Sequence, residues 1–315
     1  MLPFHHPSTT LVLDDDALFL ESFAYSYGRN LLCKTVSFPQ TAVDIVLADA
    51  DRLSGSLNVI APFFFDEVDG SLKSDQSRML RLRSNPLAAL ADDANRTSTI
   101  SVVVVDFAMP SMSGLDVCRR IKGCPAKKIL LTGKTGDQTA VAAFNEGLID
   151  CFLVKQDPDL PERLPREICR LEGEFFAAIS APVSIAAQAS DLRFLGDPVL
   201  CRFLEAEFER ERIQQYFLWS DPPGFLAIDS AGHRRHFVIY GAEAMRAQYE
   251  IAAEMGAPSE LVGALRAGGT IASFPTATGF YNEEFSESWM RFAADARAVP
   301  GTQWHVAAID VALAS

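Results

Sequence analysis

The chain has 315 residues, 49% of them hydrophobic, and its 41 acidic against 28 basic side chains give a net charge of −13, so it is globular, long enough for two domains, and poorly matched to nucleic-acid phosphates. Six cysteines, at 33, 118, 124, 151, 169 and 201, include no Cys-x-x-Cys pair, which argues against a disulfide frame or a zinc knuckle and for reduced thiols in a cytosol. The first residues lack a basic stretch followed by an apolar one, and no run approaches membrane-spanning length, so a cytoplasmic protein with no membrane partner is expected.

In chain order, Leu11-Val12-Leu13 is a short apolar strand that delivers Asp14-Asp15-Asp16 at its carboxyl end. Thr35–Phe38 reads as a second strand and Ala42–Leu53 as its helix. Ile100 to Val105 is rich in β-branched residues and reads as a strand buried on both faces, as in a parallel sheet. Asp106 ends it, presented rather than buried, before a Pro- and Gly-containing turn into a helix over Leu115–Ile121. Lys127–Leu131 is a strand ending in Thr132-Gly133, and Cys151–Val154 is one ending in Lys155. Pro161–Ile179 has Leu164, Ile168, Leu171 and Phe175 at helical spacing. Carboxylates converging from two strand ends suit the hard, oxygen-seeking Mg²⁺. Taken singly, each residue has a plainer reading: an Asp after a strand is usually a turn former or helix cap, and a Lys is usually solvated.

The order decides otherwise. Asp14, Asp15, Asp106, Thr132 and Lys155, each at a strand end, with the string Asp-x-x-Met-Pro-x-Met-x-Gly-Leu from Asp106, resemble a CheY-like receiver domain of a two-component response regulator over about residues 9–179. The resemblance implies a doubly wound α/β fold with a five-stranded parallel sheet, and phosphorylation of Asp106 by a histidine kinase or phosphotransfer protein. It further implies that Asp15, Asp106 and the Ala108 carbonyl hold Mg²⁺, with Asp14 acting through water. Lys155 would contact the phosphoryl oxygens, Thr132 would close on them, and Phe152 would be the aromatic that turns inward as Thr132 moves. Two departures stand out. Gln156 follows Lys155 where the family has Pro, and Lys134 and Ala108 fill positions that tune how fast water removes the phosphoryl group.

Asp14 and Asp106 are 92 residues apart, roughly 45 more than strand, helix, strand and helix need. An insertion near 54–99 is expected, holding Phe63-Phe64-Phe65, the acidic Asp66–Gly70 and the basic run Lys73–Arg83, as a lid, a packed helical extension or a contact arm. The receiver should thus occupy 1–179, a linker rich in small residues 180–192, and a second domain 193–315.

That second domain reads as α+β with an antiparallel sheet. A helix over Asp197–Gln215 precedes strand-like runs Tyr216–Trp219, Phe225–Asp229 and His236–Tyr240, broken at Pro222-Pro223-Gly224 and Ser230-Ala231-Gly232. Helices follow at Glu243–Met255 and Ser259–Ala267, then a returning strand at Trp304–Leu313. From 180 onward there are 10 Arg, no Lys and 17 acidic residues, so DNA binding is disfavoured. His233 and His236 fall on opposite faces of a strand, poor geometry for chelation. No enzymatic signature is evident, so no output activity is expected beyond the receiver's own phosphorylation and dephosphorylation. The expected output is protein–protein contact or a homodimer gated by Asp106. The alternative is a small-ligand sensor or unfamiliar enzyme, which a deep pocket with converging polar groups would favour.

Overall fold

The structure is a computed structural model, and it describes residues 1–29, 31–58, 85–133, 138–188, 192–220, 222–276 and 279–311. Most of the predicted insertion, including Phe63–Phe65 and Lys73–Arg83, lies outside them, as does Lys134. The chain divides into two compact units, one of residues 7–59 and 93–181, the other of residues 1–6, 60–92 and 182–315.

The first unit is built on five parallel strands. They are β2 (Thr9–Leu13), β3 (Leu32–Val36), β4 (Ile100–Asp106), β5 (Lys127–Thr132) and β6 (Cys151–Val154), β1 belonging to the other unit, in the order β3-β2-β4-β5-β6. The alternation of side chains along the strands makes both faces apolar. Leu11, Leu13, Val103, Val105 and Leu130 pack with α2 (Pro39–Asn58), α4 (Gly114–Arg120) and α5 (Gln138–Asn145) on one face. Val12, Val102, Val104, Ile129, Leu131 and Leu153 meet α1 (Ala17–Tyr27) and α6 (Leu160–Gln188) on the other. This is the predicted doubly wound sheet. Each fully buried aliphatic side chain contributes about 1.5–3 kcal/mol relative to exposure, which explains a β4 buried along its whole length. The second strand lies earlier than predicted, because Pro39 opens α2 and the Phe38 carbonyl already accepts the Ala42 N–H.

Two differences concern boundaries. The predicted linker is largely helix: α6 runs to Gln188, through Pro182, although an internal proline costs a helix about 3 kcal/mol. The small residues read as linker are mostly alanines, the best helix formers, and Val183 and Ala187 are buried on it. Secondly, the N-terminus and the end of the insertion belong to the second unit. There β1 (Phe4–His5) pairs with β7 (Ile213–Ser220), and α3 (Asn85–Asp92) packs on β7 with Leu87, Leu90 and Ala91 buried.

The second unit's antiparallel sheet continues through β8 (Pro223–Asp229), β9 (Arg234–Tyr240), β13 (His305–Asp310) and β12 (Arg297–Ala298), in the order β1-β7-β8-β9-β13-β12. The helix α7 (Pro198–Arg210) is capped by Asp197 and lays Phe208 on Tyr216, Phe225 and Phe237. It ends five residues before the predicted Gln215, where Arg212 takes a left-handed φ of 54° and the chain enters β7. Met245 of α8 (Ala242–Glu254) covers Val238, Tyr240, Ala307 and Ile309. A satellite core joins α9 (Ser259–Arg266) and the pair β10 (Thr270–Ala272) and β11 (Ala293–Asp295) through Phe274, Tyr281 and Phe292. Gly224 is obligatory at its turn, since a β-carbon there would stand 1.9 Å from the Phe237 carbonyl oxygen.

Candidate functional site

Parallel strands end together, so whatever follows each strand shares one rim. Asp14 directly follows β2, Asp106 closes β4, Thr132 closes β5, and Lys155 follows β6. The ladder carries on past the last strand pairs, because the Lys155 N–H donates to the Thr132 carbonyl at 2.8 Å and the Phe107 N–H to the Leu131 carbonyl at 2.8 Å. The predicted Asp14, Asp106, Thr132 and Lys155 therefore share that rim, with Asp15 next to Asp14.

The Lys155 ammonium donates to Asp14 Oδ2 at 2.6 Å and sits 2.7 Å from Asp106 Oδ1. It also lies 4.7 Å from the centre of the Phe19 ring, a cation–π contact that shields its third side. Nothing in the residue order singled out Phe19. It reaches the site because Asp16 caps α1, accepting from the Leu18 and Phe19 N–H groups, and so fixes where the first turn begins. Asp14 Oδ1 accepts the Asp16 N–H at 3.0 Å, and Asp106 Oδ2 accepts the Ala108 N–H at 3.2 Å. Contrary to the expectation of a presented carboxylate, Asp106 is only 6% exposed and Asp14 only 1%, while Asp15 is exposed. The turn into α4 runs against the Asp106 backbone. The approach is tight: a β-carbon on Gly114 would stand 2.2 Å from the Asp106 carbonyl oxygen.

Burial pushes the Asp14 carboxyl above the usual range, more than the Lys155 and Asp16 hydrogen bonds pull it down. Burial works against the Lys155 ammonium too, but its hydrogen bonds to Asp106 and Asp14 win and hold it above the usual lysine value. Carboxylate oxygens of Asp14, Asp15 and Asp106 all lie within 4.8 Å of one another. Among the described residues, three carboxylates against one ammonium leave two negative charges uncompensated. A small divalent cation with a taste for oxygen fits that donor set. Thr132 is buried at the rim. Phe152 is half-buried, paired with Leu130 two residues below it, and meets Phe144 edge-on at 6.3 Å.

The comparisons with known proteins bear on this unit first. The family model for the response regulator receiver domain matches residues 67–164, which include Asp106, Thr132 and Lys155. Asp14 and Asp15 lie before that match, and join it through the pairing of β2 with β4. The chain is similar to the Legionella pneumophila response regulator LqsR at 26% identity, covering 99% of this chain and 90% of that one with a TM-score of 0.72. It is also similar to an adenylate cyclase from Rhodopirellula baltica (18% identity, 57% of this chain and 96% of that one, TM-score 0.35). A third is the signal receiver domain of a putative LuxO repressor protein from Vibrio parahaemolyticus (13%, 54% and 92%, TM-score 0.33). No curated protein matches the sequence. Among the described residues no helix is long and apolar enough to cross a membrane. With its five-stranded sheet, its acidic rim and the family-model match at residues 67–164, the chain carries a response regulator receiver domain, the module of two-component signalling.

Proposed function

We propose that Asp106 is the phosphoacceptor and that its phosphorylation switches the second unit. The observation that carries this is the single ammonium of Lys155 held between the buried carboxylates of Asp14 and Asp106. An Asp106 oxygen attacks the phosphorus of a phosphohistidine; the P–N bond breaks as the P–O bond forms, and the imidazole departs. Such a transfer needs positioning and charge neutralisation and little else. Lys155 steadies the incoming oxygens as a point charge, and Thr132, fixed at the end of β5, offers a hydroxyl beside them. Asp14, Asp15 and Asp106, with the Ala108 carbonyl, would hold Mg²⁺, which when bound neutralises phosphoryl charge. Phe152 and Phe144, packed together beside Thr132's strand, provide an apolar surface that responds to the threonine. The output in this reading is protein–protein contact or self-association, and the chain's own chemistry is confined to putting the phosphoryl group on Asp106 and taking it off.

The test is reaction with acetyl phosphate and Mg²⁺, followed by intact mass. A labile added phosphoryl group on the wild type, not formed when Mg²⁺ is chelated beforehand and absent from Asp106→Asn, supports the reading. An unmodified wild type, with phosphorylated kinases as donors as well, would sink it.

A further inference from the structure

The residue after the lysine is the chain's clearest departure from its family's pattern, and its position gives it a task. The hydrogen bond from the Lys155 N–H to the Thr132 carbonyl sets the two chain segments side by side, so the next residues out, Gly133 and Gln156, are neighbours above the sheet. The Gln156 amide nitrogen lies 3.8 Å from where a β-carbon on Gly133 would stand. Among the described residues, the lack of a side chain at Gly133 leaves a gap, and the side-chain amide of Gln156, an exposed residue, lies alongside it at van der Waals distance. This gap is adjacent in sequence to both Thr132 and Lys155, and Lys155 is 2.7 Å from the phosphoacceptor carboxylate. Water reaching the phosphoryl group by way of the gap passes a group that can accept from it through Oε1 and donate to a phosphoryl oxygen through Nε2. A proline here offers neither.

We propose that Gln156 positions the water that hydrolyses the Asp106 phosphoryl group, and so sets the lifetime of the signal. The inference rests on Asp106 being the phosphoacceptor. In the step, the water oxygen bonds to phosphorus and the P–O bond to Asp106 breaks, its electron pair returning to the carboxylate. The water's protons stay with the departing group, so the products are the Asp106 carboxylate and H₂PO₄⁻. No other reactant is required. Orienting a water through a glutamine amide is an established way of speeding phosphoryl hydrolysis.

The experiment labels the full chain with acetyl phosphate, removes the donor and follows the decay of the added mass for the wild type, Gln156→Ala and Gln156→Leu. The ratio of formation rate to decay rate is the readout, because a distorted site would change both rates together. The expected result is a ratio about tenfold higher in both variants. A ratio unchanged in Gln156→Ala overturns the proposal, as does wild-type decay in Gln156→Leu, which would show that bulk and not the amide matters. Decay faster than wild type overturns it as well, since the side chain would then be a shield. Absence of any label on the wild type falls on the Asp106 reading; a labelled set with equal ratios falls on Gln156 alone.

Discussion

Three carboxylates and one ammonium share the rim of the receiver, and two of the carboxylates are buried. Burial is the first cause of the raised Asp14 carboxyl, and the Asp106 charge is the least of its causes. Removing one of the three negative charges should help the fold while removing the proposed acceptor. In metal-free buffer, Asp106→Asn is expected to be more stable than wild type by about 1 kcal/mol. Urea unfolding followed by circular dichroism checks this, and an Asn variant less stable than wild type would show that the Lys155 ion pair, not the repulsion, dominates. The acid residues and Lys155 were legible in the sequence because each ends an apolar run. Phe19 was not, since its place over the ammonium depends on where Asp16 starts a helix and on how that helix lies on the sheet.

Helices and strands decide how firmly these residues are held. Gly114 begins α4 with no room for a β-carbon beside the Asp106 backbone. Gly114→Ala must push α4 away from β4, and is expected to cost about 1–3 kcal/mol in stability and to slow phosphorylation, read from a denaturation curve and from intact mass. In the second unit, His236 of β9 meets Trp219 at 5.7 Å, and its Nε2 is buried with no hydrogen-bond partner among the described residues. Burial lowers its pKa to about 4 from the usual 6.5, against a weaker pull the other way from the Pro222 backbone. The neutral imidazole is thus favoured by the fold. Its contribution is fully present above 6.5 and lost as pH falls through 6.5 toward about 4, up to about 3 kcal/mol. Tryptophan fluorescence of unfolding between pH 7 and pH 4 should show this slope, and His236→Leu should flatten it. The edges of elements were the least legible part. The end of α7 turns on a left-handed Arg212, and α6 absorbs a proline, because burial of one face outweighs local preference at both places.

For the whole molecule, the two units are distinct in architecture, a parallel sheet covered on both faces and an antiparallel sheet with α7 on one face and α8 on the other. The proposed output predicts a change of mass in solution. Light scattering at several concentrations is expected to show a larger species when acetyl phosphate and Mg²⁺ are present, and no such change in Asp106→Asn. A phosphorylated protein that stays monomeric at every concentration would remove self-association as the output and leave contact with another protein.

The sequence by itself determined the receiver: the acidic strand ends, the buried β-branched strand, the Met-Pro and Gly turn and the lysine are local patterns whose order along the chain mirrors their order in the sheet. It also determined the antiparallel meander, since turn residues interrupt apolar runs there. Tertiary structure alone decided that residues 1–6 and 85–92 serve the second unit. A two-residue strand and a short helix carry too little periodicity to announce a partner, and their place is set by the strand β7 they cover. It alone decided, too, that Asp14 and Asp106 are buried under one ammonium and that the Gln156 amide stands beside Gly133. Those facts depend on side chains brought together from strand ends far apart in the chain, where only packing sets the distances.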